Sequence, residues 1–208
     1  MIAAVLVAAY LVGAIPFAVM VGRATRGVDV RRAGSGNAGA MNTLRTAGPA
    51  AGVLVALLDA GKGALAVLIG QQLVSPEVGA LAGCAAVTGH CFSPYLVPAM
   101  RAGPGSHWKM VLRATGGKGL ATGMGVLLTV SWLAAAVAGA AFAVTHLIQR
   151  KDVTLPSVIG SLAATPAIWI SSRNVLLTVA VLLVGIVVTI KHLPDLREAF
   201  WVESEREV

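Results

Sequence analysis

The residues best suited to chemistry stand in three glycine-bearing clusters separated by long apolar runs. The first, GSGNAGAMNTLR from Gly34 to Arg45, joins glycines that permit turns with exposed amides to the neutral hydrogen-bonding groups of Ser35, Asn37 and Asn42. Its last residue, Arg45, adds a planar donor fork that matches phosphate oxygens. The second, GGKGLATGMG from Gly116 to Gly125, sets Lys118 among glycines just ahead of a helical run. Free amides at a helix N-terminus and a flexible cation both favour an anion there. The P-loop spacing GxxxxGK[ST] is missing, which disfavours a nucleotide site of that kind. The third closes an apolar stretch with Gly89, His90, Phe92 and Pro94, and the His90 imidazole could carry a proton or donate to a transferring group. Taken singly, each has a plainer reading: a flexible loop, a turn beside a membrane, a structural histidine.

Other reactive side chains are scattered. His192 follows the last apolar run and is a second histidine candidate, whereas His107 and His146 have no supporting neighbours. No set of His, Cys and carboxylates has the spacing of a metal site. Asp59 and Lys62, one helical turn apart inside an apolar run, can share a face and pair, though the loops offer the better place for chemistry. Cys84 and Cys91 lie in apolar surroundings and read as packing residues, with no Cys-His or Ser-His-Asp arrangement for covalent catalysis.

The elements that must hold these clusters are membrane helices. Of 208 residues, 57% are hydrophobic and 12% charged, and the mean hydropathy is +0.82, which excludes an ordinary soluble domain. The 24 glycines suit a bundle whose backbones approach closely, because lipid supplies no hydrophobic force between helices. Apolar stretches cover 2–22, 50–70, 78–97, 120–130, 132–148, 154–170 and 174–190, predicting an all-α integral membrane bundle of about seven transmembrane helices. No Lys or Arg precedes the first, so it reads as an uncleaved span. Leu120 to Ile148 is one unbroken run, and Ser131 with Trp132 is the expected turn inside it.

Charge sets the expected orientation. Fourteen of the 16 basic residues fall in one alternating set of loops, which places the N-terminus outside and the C-terminus in the cytoplasm. The net charge of +7 is then mostly topology, and no aromatic-interleaved basic face points to nucleic acid. With no visible repeat, residues 1–208 form a single membrane domain whose end, 199–208, is a solvated tail.

The three clusters, in this order and all on the expected cytoplasmic side, resemble the bacterial acyl-phosphate:glycerol-3-phosphate acyltransferase family, the PlsY type. The likeness covers nearly the whole chain. The family pattern GSGNxGATNxxR is matched from Gly34 to Arg45 with Met41 in place of threonine; GHxFP is matched at Gly89, His90 and Phe92 with Ser93 before Pro94. GGKGVAT is matched at Gly116, Gly117, Lys118, Gly119, Ala121 and Thr122, and VSLxS resembles Val153, Thr154, Leu155 and Ser157. Two departures stand out. His90 and Gly116 are 26 positions apart, so that 98–113 reads as an inserted cytoplasmic segment beside the site, and Asp195 falls where the family's RHRxNI pattern has asparagine, after Lys191 and His192. An added carboxylate would repel phosphate unless paired, for instance with Arg197 or Lys191.

The resemblance implies transfer of a fatty acyl group from acyl phosphate to the 1-hydroxyl of glycerol 3-phosphate, at the inner membrane of a bacterium, with no cofactor or metal. On that reading Gly116, Gly117, Lys118 and Gly119 hold the acyl-phosphate head, and Ser35, Arg45 and His192 hold glycerol 3-phosphate. Asn37, Asn42, Thr122 and Ser157 complete the polar wall, and Lys118, His90 and Arg45 carry the catalysis. The proton sink is either a phosphate oxygen or His90. A transporter for a small anion or lipid, or a relative with another acceptor, is the competing reading.

Overall fold

The structure, a computed structural model, describes residues 1–96, 112–113, 115–150 and 152–204, with side chains described as far as Leu196. The expected inserted segment, with His107, lies almost wholly outside the described residues, while the expected tail continues the last helix through 204 and lies outside them only from 205 on.

Every long element among the described residues is a helix. The first apolar run is broken in two, α1 (Ile2–Gly13) and α2 (Phe17–Arg26), because Pro16 lacks an N–H and its ring cannot sit in a helix interior. The break takes the carbonyls of Ala14 and Ile15 out of helical bonding, leaving Ile15 only a short-range bond from the Phe17 N–H at 3.1 Å, which would be costly in hydrocarbon. Ser93 donates its hydroxyl to the Ala14 carbonyl at 2.6 Å, and Lys62 Nζ donates to that of Ile15 at 3.0 Å. A helical defect near the N-terminus is thereby tied to the second and third apolar runs.

The chain continues through a 3-10 turn at Val30–Arg32 to the short α3 (Ala40–Ala47), then α4 (Pro49–Leu73) and α5 (Pro76–Cys91), both opening with proline at a first-turn position. After the central part of the chain come α6 (Leu120–Val130), α7 (Trp132–Gln149), α8 (Thr154–Ser172) and α9 (Val175–Ser204). The expected turn at Ser131 is present: its backbone is extended, and its hydroxyl accepts the Ala134 N–H at 3.3 Å to cap α7.

Among the described residues, five segments are long and apolar enough to cross a membrane: Ile2–Arg26, Pro49–Leu73, Trp132–Gln149, Thr154–Ser172 and Val175–Leu196. The expected stretch 78–97 is helical only as far as Cys91, since Phe92 leaves the helical conformation two residues ahead of Pro94. At 16 and 11 residues, α5 and α6 are shorter than a full span, about 20 residues in length.

These two short helices are the centre of the bundle. Val67 of α4, Val87 and Cys91 of α5, Val126 of α6, and Val184 and Val188 of α9 form one buried cluster. Glycine makes the approach possible. A Cβ at Gly13 would collide with the Ala86 carbonyl, one at Gly63 with that of Thr122, and one at Gly125 with that of Ala60. Cys91 is fully buried and Cys84 half-buried, consistent with packing. Leu147, Ile148, Ile170 and Leu176 are exposed on the outside, where a bilayer would meet them.

Candidate active site

A cavity of about 780 Å³ gathers residues from segments far apart in the chain. Ser35, Asn37 and Arg45 come from the first cluster, Asp59 from α4, His90 from the end of α5, Lys118 from the glycine loop, and His192 with Asp195 from α9. The three clusters read from the sequence therefore meet at one place.

The first cluster is shaped by Asn42. Buried to 2% exposure, its amide nitrogen donates to the carbonyls of Val30 at 2.7 Å, Ala33 at 3.1 Å and Asn37 at 3.0 Å, while its oxygen accepts the Ser35 N–H at 2.9 Å. Asn42 was expected as a substrate ligand; its polar atoms are instead occupied in clasping the loop that presents Ser35 and Asn37. Gly34 has a φ of +59°, and a Cβ there would collide with the Asn42 oxygen. Ahead of the clasp, Asp29 accepts from the Arg31 side chain at 2.7 and 3.0 Å and from Arg23 at 2.8 Å. The Arg31 hydrogen bonds hold the Asp29 carboxyl well below the usual carboxylate range.

The second cluster lies on the third. Gly117 N–H donates to the His90 carbonyl at 3.1 Å, and Ser93 N–H to that of Thr115 at 2.8 Å. A Cβ at Gly116 would collide with the His90 carbonyl, and one at Gly117 with His90 Nε2. These two glycines, expected on the phosphate itself, are absent from the cavity wall and act by letting the loop lie against His90. Lys118 and Gly119 do line the cavity. Gly119, at a φ of +85°, turns the chain into α6, whose first turn has no side-chain cap. Its amide hydrogens have no partner inside the helix and lie at the wall, where an anion is favoured.

Two further expectations are relocated. Thr122 is fully buried toward Gly63 of α4, and Ser157 donates to the Val153 carbonyl while lining an apolar groove. That groove, about 290 Å³, runs between α6, α7, α8 and α9 past Met124, Leu127, Phe142, Val181 and Val184. It shares Gly119, Leu120 and Ala121 with the polar cavity, so the two adjoin at the start of α6.

Asp195 is paired, but not with the partners suggested by the sequence. It forms ion pairs with Lys118 and, at 2.6 Å, with Arg113 at the end of the inserted segment. Lys191 turns away: it donates to the Leu112 carbonyl and to Thr115 Oγ1, and lies 5.2 Å from the Phe92 ring centre. The side chain of Arg197 is outside the described ones.

Sequence reasoning undervalued Asp59, Lys62 and His146. The Asp59–Lys62 pair, joined at 2.7 Å, also meets His90, whose Nδ1 lies 2.8 Å from Lys62 Nζ. Charge inside an apolar run was the available signal. His146 lines the cavity and contacts the Asp152 carbonyl at 3.2 Å, with no sequence cue beyond its helical spacing from Phe142, on which it stacks. His192 is fully buried with Nδ1 2.8 Å from the Val188 carbonyl. A carbonyl can only accept, so that nitrogen carries the hydrogen and Nε2, without a partner among the described residues, presents a lone pair.

Residues 3–201 match the glycerol-3-phosphate acyltransferase family. A glycerol-3-phosphate acyltransferase of Dinoroseobacter shibae is 34% identical over 192 residues, covering 92% of this chain and 86% of that protein. The crystal structure of PlsY (YgiH), an integral membrane glycerol 3-phosphate acyltransferase, in its glycerol 3-phosphate form superposes with a TM-score of 0.80 at 27% identity, covering 96% of this chain and 92% of that one. Its lysophosphatidic acid form gives 0.79 at 26% identity, covering 96% and 91%.

Proposed function

The chain belongs to the glycerol-3-phosphate acyltransferase family, and from that premise we propose that it transfers a fatty acyl group from acyl phosphate to the 1-hydroxyl of glycerol 3-phosphate. The products are lysophosphatidic acid and inorganic phosphate. One observation carries the reading: cationic and amide donors suited to two phosphates line a cavity that adjoins, at Gly119 to Ala121, an apolar groove suited to an acyl chain.

The roles follow from position. Lys118, Gly119 and the open amides of α6 take the acyl-phosphate head, with its chain in the groove beside Met124 and Phe142. Arg45, Ser35 and Asn37 take the phosphate of glycerol 3-phosphate, and His192 Nε2 accepts from its hydroxyl. The hydroxyl oxygen attacks the acyl carbonyl carbon, and the bond from that carbon to the phosphate oxygen breaks. Acyl phosphate is already activated, so positioning and neutralisation of the leaving phosphate supply most of the rate without a covalent enzyme intermediate. The hydroxyl proton passes to a phosphate oxygen or to His90, and the choice turns on which ring nitrogen of His90 carries hydrogen.

Topology belongs to the same reading. The distribution of Lys and Arg puts the cavity, the C-terminus and the inserted segment at the cytoplasmic face of a bacterial inner membrane, with the N-terminus outside. The short α5 and α6, packed against longer neighbours, complete seven passes of a single domain.

The deciding experiment gives the purified protein a long-chain acyl phosphate and radiolabelled glycerol 3-phosphate, alongside uptake by sealed vesicles. Lysophosphatidate and phosphate released in equal amounts are expected. Uptake without lysophosphatidate would identify a transporter instead.

A further inference from the structure

The groove and the cavity meet at one level on the helices around them. On α9 the wall passes from Val188 in the groove to His192 in the cavity, on α8 from Ser157 to Thr154, and on α7 from Phe142 to His146. Each step is about one helical turn. The start of α6 carries the crossing itself, through the residues common to both compartments. A donor with its phosphate in the cavity and its chain in the groove has its carbonyl carbon, the atom that joins the two, at this level.

The step on α7 is made of two rings. Phe142 and His146 share a helix face, and their rings stack with centres 6.0 Å apart and planes 21° from parallel. His146 is braced from behind: its Nδ1 lies 3.2 Å from the Asp152 carbonyl, which also accepts the Gln149 side-chain amide at 3.1 Å. A carbonyl can only accept, so Nδ1 carries a hydrogen. The Asp152 carboxylate in turn accepts the Thr154 N–H at 2.7 Å and holds the first turn of α8. Gly119, on the α6 side of the crossing, is buried; on the α7 side Phe142 and His146 are half-buried and Asp152 is exposed. The stacked rings are therefore the wall between the crossing and solvent.

A wall at that place has a chemical task. Acyl phosphate is an activated anhydride, and water competes with the alcohol for it. The water oxygen bonds to the carbonyl carbon, the bond from that carbon to the phosphate oxygen breaks with its electron pair on phosphate, and fatty acid and inorganic phosphate leave with the two hydrogens of water between them. Keeping water from a reactive group is one function of a closed site. We propose that His146, stacked on Phe142 and braced by the Asp152 carbonyl, is a positioning residue that screens the donor carbonyl from water and so sets the ratio of acyl transfer to acyl-phosphate hydrolysis. This deepens the proposed function and rests on it. The role uses the faces of the rings and needs no change of charge on either. A brace that served only the end of α7 would lower stability and rate together and leave that ratio where it is.

The test gives the full chain in lipid a long-chain acyl phosphate labelled in its acyl group, with saturating glycerol 3-phosphate. Free fatty acid and lysophosphatidate are counted from the same tube after subtraction of a protein-free blank, so a fraction of unfolded protein does not alter their ratio. His146→Ala should raise the ratio of free acid to lysophosphatidate about tenfold, a displaced or wetted carbonyl being the cause. Phe142→Ala should act in the same direction. His146→Phe keeps a ring on the stack and should return most of the way to wild type. Ratios equal to wild type in both alanine variants, or a His146→Phe variant as hydrolytic as His146→Ala, overturn the proposal. Wild-type protein that forms no lysophosphatidate defeats the functional reading, and the proposal with it.

Discussion

The Arg113 guanidinium lies 2.6 Å from the Asp195 carboxylate, 82 residues further along the chain. Both residues are departures from the family pattern, one from the inserted segment and one at a position where asparagine is usual, and they answer each other. Asp195 also pairs with Lys118, so a carboxylate occupies two cations at the wall where a phosphate is expected to bind.

An internal anion competes with an external one. Asp195→Asn should therefore lower KM for acyl phosphate, by about threefold to tenfold given the value of charge-assisted bonds in a half-exposed setting, with little change in kcat. Initial rates over a range of donor concentrations check this; a raised KM would mean that Asp195 orients Lys118 rather than competing for it.

Lys118 and Arg45 should separate in kinetics. Lys118→Ala removes charge from the leaving phosphate and should cost about 10²–10³ in kcat, whereas Arg45→Ala should act mainly through KM for glycerol 3-phosphate. Arg45→Lys restores charge without the fork and should recover only part of the loss. Steady-state kinetics with each substrate varied in turn distinguish the two.

The apolar groove gives a chain-length test. Gly139 lines it, and a Cβ added there meets nothing within 4 Å, so Gly139→Leu can fill the groove without disturbing the backbone. Preference should shift toward shorter acyl phosphates while KM for glycerol 3-phosphate holds. Competition between two donor chain lengths, read by mass spectrometry, measures it.

Close helix crossings should be intolerant. Gly63→Ala and Gly125→Ala each drive a methyl group into a carbonyl across the α4–α6 contact, and overpacking of this kind costs about 1–3 kcal/mol. Thermal melting in detergent should show both below wild type, with Gly61→Ala, where nothing lies within 4 Å, as the control.

Asp29 gives a pH signature. Its carboxyl titrates lower in the fold than in the unfolded chain, so its contribution is present above the unfolded value, about 3.9, and is lost as pH falls through the folded one. The stability gap between wild type and Asp29→Asn should be constant near neutrality and narrow as the medium is made strongly acid. A gap that widens on acidification would contradict the pairing with Arg31.

What the sequence made legible was local or compositional. The clusters announce themselves because glycine, asparagine and lysine are out of place in so apolar a chain, and the turn at Ser131 follows from run length. Contacts across the bundle were not legible. Nothing near Lys62 in sequence names Ile15 or His90 as its partners, and Gly117 reads as a phosphate ligand until His90 is seen against it. Asn42 misled for a related reason: an amide that serves a loop and one that serves a ligand have the same spelling. The break at Pro16 falls inside the stretch 2–22 read as one span, and it is tolerated because Ser93 and Lys62 arrive from elsewhere to bond the carbonyls of Ala14 and Ile15.

The short seam of Gly119, Leu120 and Ala121 has a kinetic corollary. Glycerol 3-phosphate engages the polar compartment alone, whereas the ester that forms carries a phosphorylated glycerol at one end and a tail at the other, and like acyl phosphate grips both at once. Two linked attachments leave more slowly than either alone. Release of the new lipid sideways into the bilayer is then expected to be slow, and a membrane that drains it quickly should raise turnover.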